Sequence, residues 1–223
     1  RQVILYQYIC EKIQDCNIKK IDSREIIKTD NSYLIGKVDM DLTNNLINKT
    51  INSESADIFI IPGYIASDIK NDTTTLGRGG GDYTAAILGY FLNVKQVELW
   101  TDVDGVRSSD PTKIDNTQKI PILTYNEMVS LSYYGANVVY TPTIYLLYKK
   151  NIPIYINNTK NPNNKGTIIH EIIHKRKNTV TAITKLKDIA VIKVSGPFLI
   201  GNIGFSSRFF SIFSDLYLSL IHI

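Results

Sequence analysis

The residue types best suited to chemistry lie in one stretch, Thr73-Thr74-Thr75-Leu76-Gly77-Arg78-Gly79-Gly80-Gly81-Asp82-Tyr83-Thr84-Ala85-Ala86. Successive glycines let a backbone approach an anion closely. A helix beginning among them presents unpaired N–H groups and the positive end of its dipole. Arg78 adds a planar fork that fits a carboxylate or a phosphate. Asp82, in the first helical turn, suits holding a lysine or a magnesium ion beside a transferring phosphate. The run is not a Walker loop, because no Lys-Ser/Thr pair follows the glycines, and it is not the dinucleotide fingerprint. On the residues alone it reads as an anion site between a strand and a helix, with a purely structural turn as the alternative.

A second pattern, His170-Glu171-Ile172-Ile173-His174, matches the zinc-protease signature by letter. That chemistry needs a stable helix, a third protein ligand and an open metal position. These residues sit instead between the strand-like 166–169 and the basic cluster Lys175-Arg176-Lys177. No glutamate follows Glu171, and the only later histidine is His222. They read as a surface helix or connector. Cys10 and Cys16, on one expected helix, share no face and read as reduced thiols. Tyr125, Met128, Tyr133 and Tyr134 read as core and interface rather than a base-stacking platform.

The elements that must position the glycine run follow from periodicity. Helical spacing of Val3, Tyr6, Ile9, Cys10 and Ile13 predicts a helix over 1–16. A short apolar run over 57–61, closed by Pro62-Gly63, predicts a buried strand, and a polar loop is expected through 71–75. A second buried strand is predicted over 97–101, helices over 125–134 and 142–148, the latter with Pro at its start, and a third strand over 153–156. Strands alternating with helices imply an α/β domain with a largely parallel sheet. The polar connector 175–179 then breaks the pattern. A strand over 190–195, an amphipathic helix over 201–214 and a strand over 216–223 follow, the β-α-β start of a second domain.

Composition sets bounds. The chain has 223 residues, 43% of them hydrophobic, enough for a buried core. Lys plus Arg number 25 against 21 Asp plus Glu, a net charge of +4 spread along the chain rather than concentrated as a nucleic-acid footprint. No apolar run approaches the length that spans a bilayer, so neither a nucleic acid nor a membrane is expected as partner, and a cytoplasmic location is. The chain opens on Arg1 rather than Met and closes inside an alternating segment, so both ends are expected to be cut.

The glycine segment resembles the Thr-Thr-Leu-Gly-Arg-Gly-Gly-Ser-Asp-Tyr-Thr-Ala signature of aspartokinases, members of the amino-acid kinase fold. The likeness continues through Trp100-Thr101-Asp102-Val103-Asp104-Gly105-Val106, Asp110-Pro111, Leu131-Ser132-Tyr133-Tyr134-Gly135-Ala136, Ile152-Pro153-Ile154, Asn161-Pro162, Gly166-Thr167 and Val194-Ser195-Gly196-Pro197. Its forms are most similar to the kinase part of bifunctional aspartokinase–homoserine dehydrogenases. The resemblance implies an α/β/α sandwich over 1–169, a connector over 170–179 and an incomplete ACT-type regulatory domain over 180–223. It implies phosphorylation of the L-aspartate side chain by ATP with Mg2+, the first step toward lysine, threonine and methionine, in a homo-oligomer paired through the regulatory domain. Carried over residue by residue, Arg78 grips the α-carboxylate of aspartate, with Gly79, Gly80 and Gly81 beside it. Asp82 organises phosphoryl transfer, and Thr101, Asp102, Arg107, Thr112, Asn137 and Val138 surround the nucleotide.

The sequence also departs from the family. The Lys-Phe-Gly-Gly-Thr segment, whose lysine stabilises the transferring phosphoryl group, is absent, as is a Gly-Glu element for the substrate amine. Gly81 stands for the usual Ser, Arg107 for a Tyr, Thr112 for an Arg, Asn137 for a Lys and Tyr140 for a His. Thr112 and Asn137 remove two cations expected at ATP phosphates, each worth a few kcal/mol in the transition state. The 223 residues alone are therefore expected not to turn over. The competing expectations are a partial kinase that only binds nucleotide or amino acid, and another amino-acid kinase acting on glutamate or a nucleotide.

Overall fold

In chain order, α1 (Gln2–Lys12) leads to β1 (Ile18–Lys20), α2 (Ser23–Ile26) and α3 (Met40–Ser53). The Asp22 and Asp39 carboxylates start the last two helices by accepting the N–H groups of Arg24 and Leu42, which satisfies donors that no helical carbonyl can reach. Next come β2 (Ile58–Ile60), β3 (Ile65–Ser67), β4 (Thr73–Thr75), α4 (Gly80–Leu92) and β5 (Val97–Thr101). Then follow β6 (Ile122–Leu123), α5 (Tyr125–Tyr133), α6 (Thr141–Tyr148), β7 (Ile154–Asn158) and β8 (Thr167–Ile169). Thr124 and Glu127 close a capping box at the start of α5, and Pro142 sits in the first turn of α6, where its missing N–H costs nothing. The computed structural model describes residues 2–136, 138–171, 180–185, 190, 192–196 and 203–216. They fall in two compact units, 1–186 and 187–223.

In the first unit the principal sheet runs β5-β7-β8-β6, with β5–β7 and β6–β8 parallel and β7–β8 antiparallel. The β5 strand buries Val97 and Leu99 and exposes Glu98 and Trp100, the period of two expected where one face is covered. Two smaller pairs accompany the sheet, β1 parallel to β2 and β3 antiparallel to β4. The α4 helix packs on α6, and α6 on α5. Between helices and sheet lies one apolar core that includes the fully buried Ile87, Leu123, Met128, Ile144, Leu147, Ile154, Ile156 and Ile169. Tyr125 joins it without leaving its hydroxyl unpaired, donating to the Ile152 carbonyl at 2.7 Å. Burial pushes that phenol up to about 12.

Several sequence expectations are met closely. The strand at 97–101 and the helices at 125–133 and 141–148 stand where expected, although that strand is buried on one face only. Others are corrected. The 57–61 run yields only a half-buried three-residue strand, because it pairs on one side alone. The polar 71–75 stretch is not all loop: Thr73–Thr75 forms β4, and Thr74 is buried with its hydroxyl 2.7 Å from that of Thr29. Threonine is branched at Cβ and suits a pleated strand despite its polarity. The sheet is largely parallel as expected, with β5–β7 and β6–β8 parallel and only β8 returning antiparallel to β7. His170 continues that strand, its N–H donating to the Leu123 carbonyl at 2.9 Å; residues 172–174 of the zinc-like pattern lie outside the described residues. Cys10 and Cys16 are unbridged.

The second unit contains α7 (Phe205–Asp215), entered from Gly204 at φ 78°. Phe209 stacks on Phe205 and meets Phe213 edge-on, with centroids 6.0 and 5.1 Å away. The strand expected over 190–195 is not formed at the described residues 190 and 192–195, and 217–223 lie outside the described residues.

One buried hydroxyl fixes the loop that leaves β5. Thr167, 1% exposed, accepts the Val106 N–H at 2.8 Å and donates to the Ile120 carbonyl at 2.7 Å. Thr167→Val keeps the shape and strands both backbone groups, at a cost of about 2–4 kcal/mol. Urea unfolding should show the midpoint falling accordingly; an unchanged midpoint would mean the clamp contributes nothing.

Candidate functional site

The glycine run meets α6 at its N-terminus. Gly79 precedes α4 at φ 73°, and a Cβ placed there would lie 2.5 Å from the Tyr140 Cβ. No side chain fits that approach, so the backbone of the α4 start lies against Tyr140. Arg78, Gly79 and Asp82 thereby share a cavity of about 200 Å³ with Ser132, Tyr140 and Thr141. Asp82 is half-buried, and burial raises its carboxyl above the ordinary 3.8, an effect the Tyr140 backbone N–H partly offsets. Burial also raises the Tyr83 phenol, with Tyr140 adding to it; the two rings meet edge-on at 6.0 Å. An exposed guanidinium, helix N–H groups and one carboxylate around so small a space can hold a small acid by its anionic end.

A second cavity, of about 550 Å³, opens after β5. Apolar walls come from Val103, Val106, Pro111, Ile114, Ala136 and Val138, and cationic residues from Arg107, Lys113 and Lys185. Val138 lines both cavities. Arg107 is fixed in the wall, donating from Nε to the Thr117 hydroxyl at 2.6 Å and from Nη2 to the Thr117 carbonyl at 2.7 Å. Lys113 pairs with Asp110, and that contact, with help from Thr112, holds the Asp110 carboxyl at about 2. Apolar walls with cations among them can take a ligand that has a planar ring and a charged tail.

The sequence-predicted residues distribute unevenly. Arg78, Gly79 and Asp82 converge on the smaller cavity, and Arg107 and Val138 on the larger. Gly80 is a packing residue: a Cβ there would meet Tyr64 at 2.9 Å and Leu76 at 3.1 Å. Gly81 is open, with nothing within 4 Å of a Cβ, so a serine would fit without rearrangement. Thr101 ends β5 and Asp102 follows it, the Thr101 hydroxyl donating to Asp102 at 3.1 Å; neither lines the larger cavity. Thr112 does not line it either; its hydroxyl donates to Asp110 at 2.6 Å. Asn137 lies outside the described residues. Sequence reasoning missed Lys113 and the segment carrying Ile183, Thr184 and Lys185, which all line the larger cavity. Lys113 was legible beside Asp110-Pro111; the 183–185 segment carried no local signal, since its role depends on where the chain returns.

Among the described residues no group of three His, Cys, Asp or Glu converges for a metal. Magnesium carried on phosphates needs only one or two carboxylates. Asp82 fits that demand, since a cation beside it would relieve the cost of its burial.

A model of the amino acid kinase family matches residues 4–158. The chain is 36% identical over 189 residues to a bifunctional aspartokinase/homoserine dehydrogenase of Haemophilus influenzae, covering 85% of this chain and 23% of that protein. It is 34% identical over 162 residues to a chloroplastic aspartokinase 1 of Arabidopsis thaliana, covering 72% and 28%. The chain thus spans 23–28% of the length of these relatives. Its structure superposes on E. coli aspartokinase III in complex with aspartate and ADP with a TM-score of 0.71 at 27% identity, over 78% of this chain and 38% of that one. With Clostridium acetobutylicum aspartate kinase the TM-score is 0.69 at 27% identity, over 99% and 49%.

The raised carboxyl of Asp82 has a testable sign. A carboxyl that binds its proton more tightly folded than unfolded removes stability as pH rises above 3.8. Asp82→Asn should therefore gain stability relative to the parent on going from about pH 3 to about pH 7. Thermal melts at both values check this; a gain equal at both would mean that burial does not govern this carboxyl.

Proposed function

We propose that this chain, which belongs to the amino acid kinase family, carries the substrate and nucleotide sites of an aspartate kinase. The reaction is transfer of the γ-phosphoryl group of ATP to the side-chain carboxylate of L-aspartate, giving 4-phospho-L-aspartate and ADP, an entry step of lysine, threonine and methionine synthesis. One observation carries the reading: the Arg78–Asp82 cavity and the apolar, cation-bearing cavity share Val138. Two anionic reactants can therefore bind in adjoining cavities, and phosphoryl transfer asks of a protein little beyond positioning and charge neutralisation. Arg78 holds the α-carboxylate of aspartate, with the Gly79 and Gly80 backbone beside it. Asp82 receives the magnesium that accompanies ATP, which would neutralise phosphate charge. Arg107 and Val138 contact the nucleotide from the wall, and Thr101 and Asp102 from the end of β5. The region expected over 180–223, compact over 187–223, begins a regulatory ACT-type unit that pairs subunits and binds a feedback effector, and the enzyme works in the cytoplasm.

Thr112 favours binding without turnover for these residues alone, since its hydroxyl caps Asp110 where the family carries an arginine. No position here matches the family's Lys-Phe-Gly-Gly-Thr segment either. Calorimetric titration should show saturable binding of both ADP and aspartate. Arg78→Ala should weaken aspartate by roughly tenfold or more and leave ADP unchanged, because a charged hydrogen bond is worth about 1.5–3 kcal/mol. The chain alone should form no aspartyl hydroxamate above a no-enzyme control. Loss of ADP and aspartate binding together in Arg78→Ala, with the fold intact, would overturn the two-cavity assignment.

A further inference from the structure

The segment 181–185 follows the β8 strand by eleven residues and would read as the start of a separate domain, yet it belongs to the first unit. Ala182 packs against the apolar core, the Ile183 N–H donates to the Ser108 carbonyl at 2.8 Å, and the Thr181 hydroxyl donates to Glu127. These contacts set Ile183, Thr184 and Lys185 along the larger cavity. Ile183 is 64% exposed there, facing the same space as Ile114 at 50% and Val103 at 40%. Large apolar side chains left open at a cavity mouth are the surfaces a planar ring would cover. The cations differ in how far they are committed. Arg107 is bound to Thr117 and Lys113 to Asp110, whereas among the described residues no carboxylate pairs with Lys185.

We propose that Ile183 and Lys185 are nucleotide-contacting residues, Ile183 covering the base and Lys185 binding the phosphates, so that nucleotide binding and docking of the 181–185 segment stabilise each other. This rests on the reading of the larger cavity as the nucleotide site. It also supplies to that cavity, from a different part of the chain, a cation that Thr112 cannot give. Reciprocity follows from linkage: a ligand that contacts the docked segment binds the docked state more tightly and must shift the segment toward it.

The test uses the 223-residue chain and two ligands, ADP and adenosine. Lys185→Met should weaken ADP by roughly tenfold and leave adenosine unchanged, and Lys185→Arg should retain most of the ADP affinity. Ile183→Ala should weaken both ligands several-fold. Hydrogen exchange at the Ile183 amide should slow when ADP is bound. Lys185 is exposed, so an unchanged melting temperature is expected for its variants and shows the fold is intact. If the parent binds ADP and the Lys185 and Ile183 variants bind it equally well, this proposal fails while the nucleotide cavity stands. If the parent binds no ADP, both fall.

Discussion

The contact between Gly79 and Tyr140 is the constraint on which the candidate site depends. It joins the start of α4 to the start of α6 so closely that a Cβ on residue 79 would stand 2.5 Å from the Tyr140 Cβ. The left-handed φ of 73° at Gly79 turns the chain from the β4 hairpin into the helix and leaves Arg78 exposed at the turn. Asp82, one helical turn further, is brought to the Tyr140 backbone N–H. Because Val138 lies just before Tyr140 and lines both cavities, the 138–140 stretch forms the partition between them. A single close approach thus sets the guanidinium, the carboxylate and the dividing wall.

The larger cavity is held by polar clamps rather than by apolar packing alone. Thr167 ties Val106 to Ile120, and Thr117 fixes the Arg107 guanidinium in the wall. Gly105, at φ 110°, is kept without a side chain because a Cβ there would meet the Thr167 hydroxyl at 2.5 Å. The loop after β5 therefore keeps one shape, and a cation cavity is formed from residues separated by some eighty positions along the chain, Arg107 to Lys185. Preorganised charge of this kind needs no rearrangement at the moment of reaction.

Where local pattern decides structure, the sequence was readable. The strand at 97–101 and the helix led by the proline at 142 were expected where they stand, from signals within a few residues. The glycine run was also readable, since only glycine tolerates the approach at residue 79. Legibility ended where distant segments decide. Thr73–Thr75 became a strand because Thr29 and the β3 strand meet it. The α3 helix, rich in Asn and Thr, is held by the Asp39 cap, by the buried Thr43 and Ile47, and by Met40, Leu46 and Ile51, which pack against the core. Thr101, Asp102 and Thr112 lie near the larger cavity in sequence but do not line it, while Ile183 and Lys185 reach it from a segment with no local signature. A one-residue change in loop path decides such matters, and no window of sequence records it.

The most direct test of the account is a pair of amide chemical-shift titrations on the isotopically labelled chain, one with ADP and one with L-aspartate. ADP should shift Val106, Arg107, Ala136 and Ile183, aspartate should shift Gly79, Asp82 and Thr141, and Val138 should respond to both. Two ligands shifting one common set of residues, or Val138 responding to neither, would contradict the claim that two cavities meet at a shared wall.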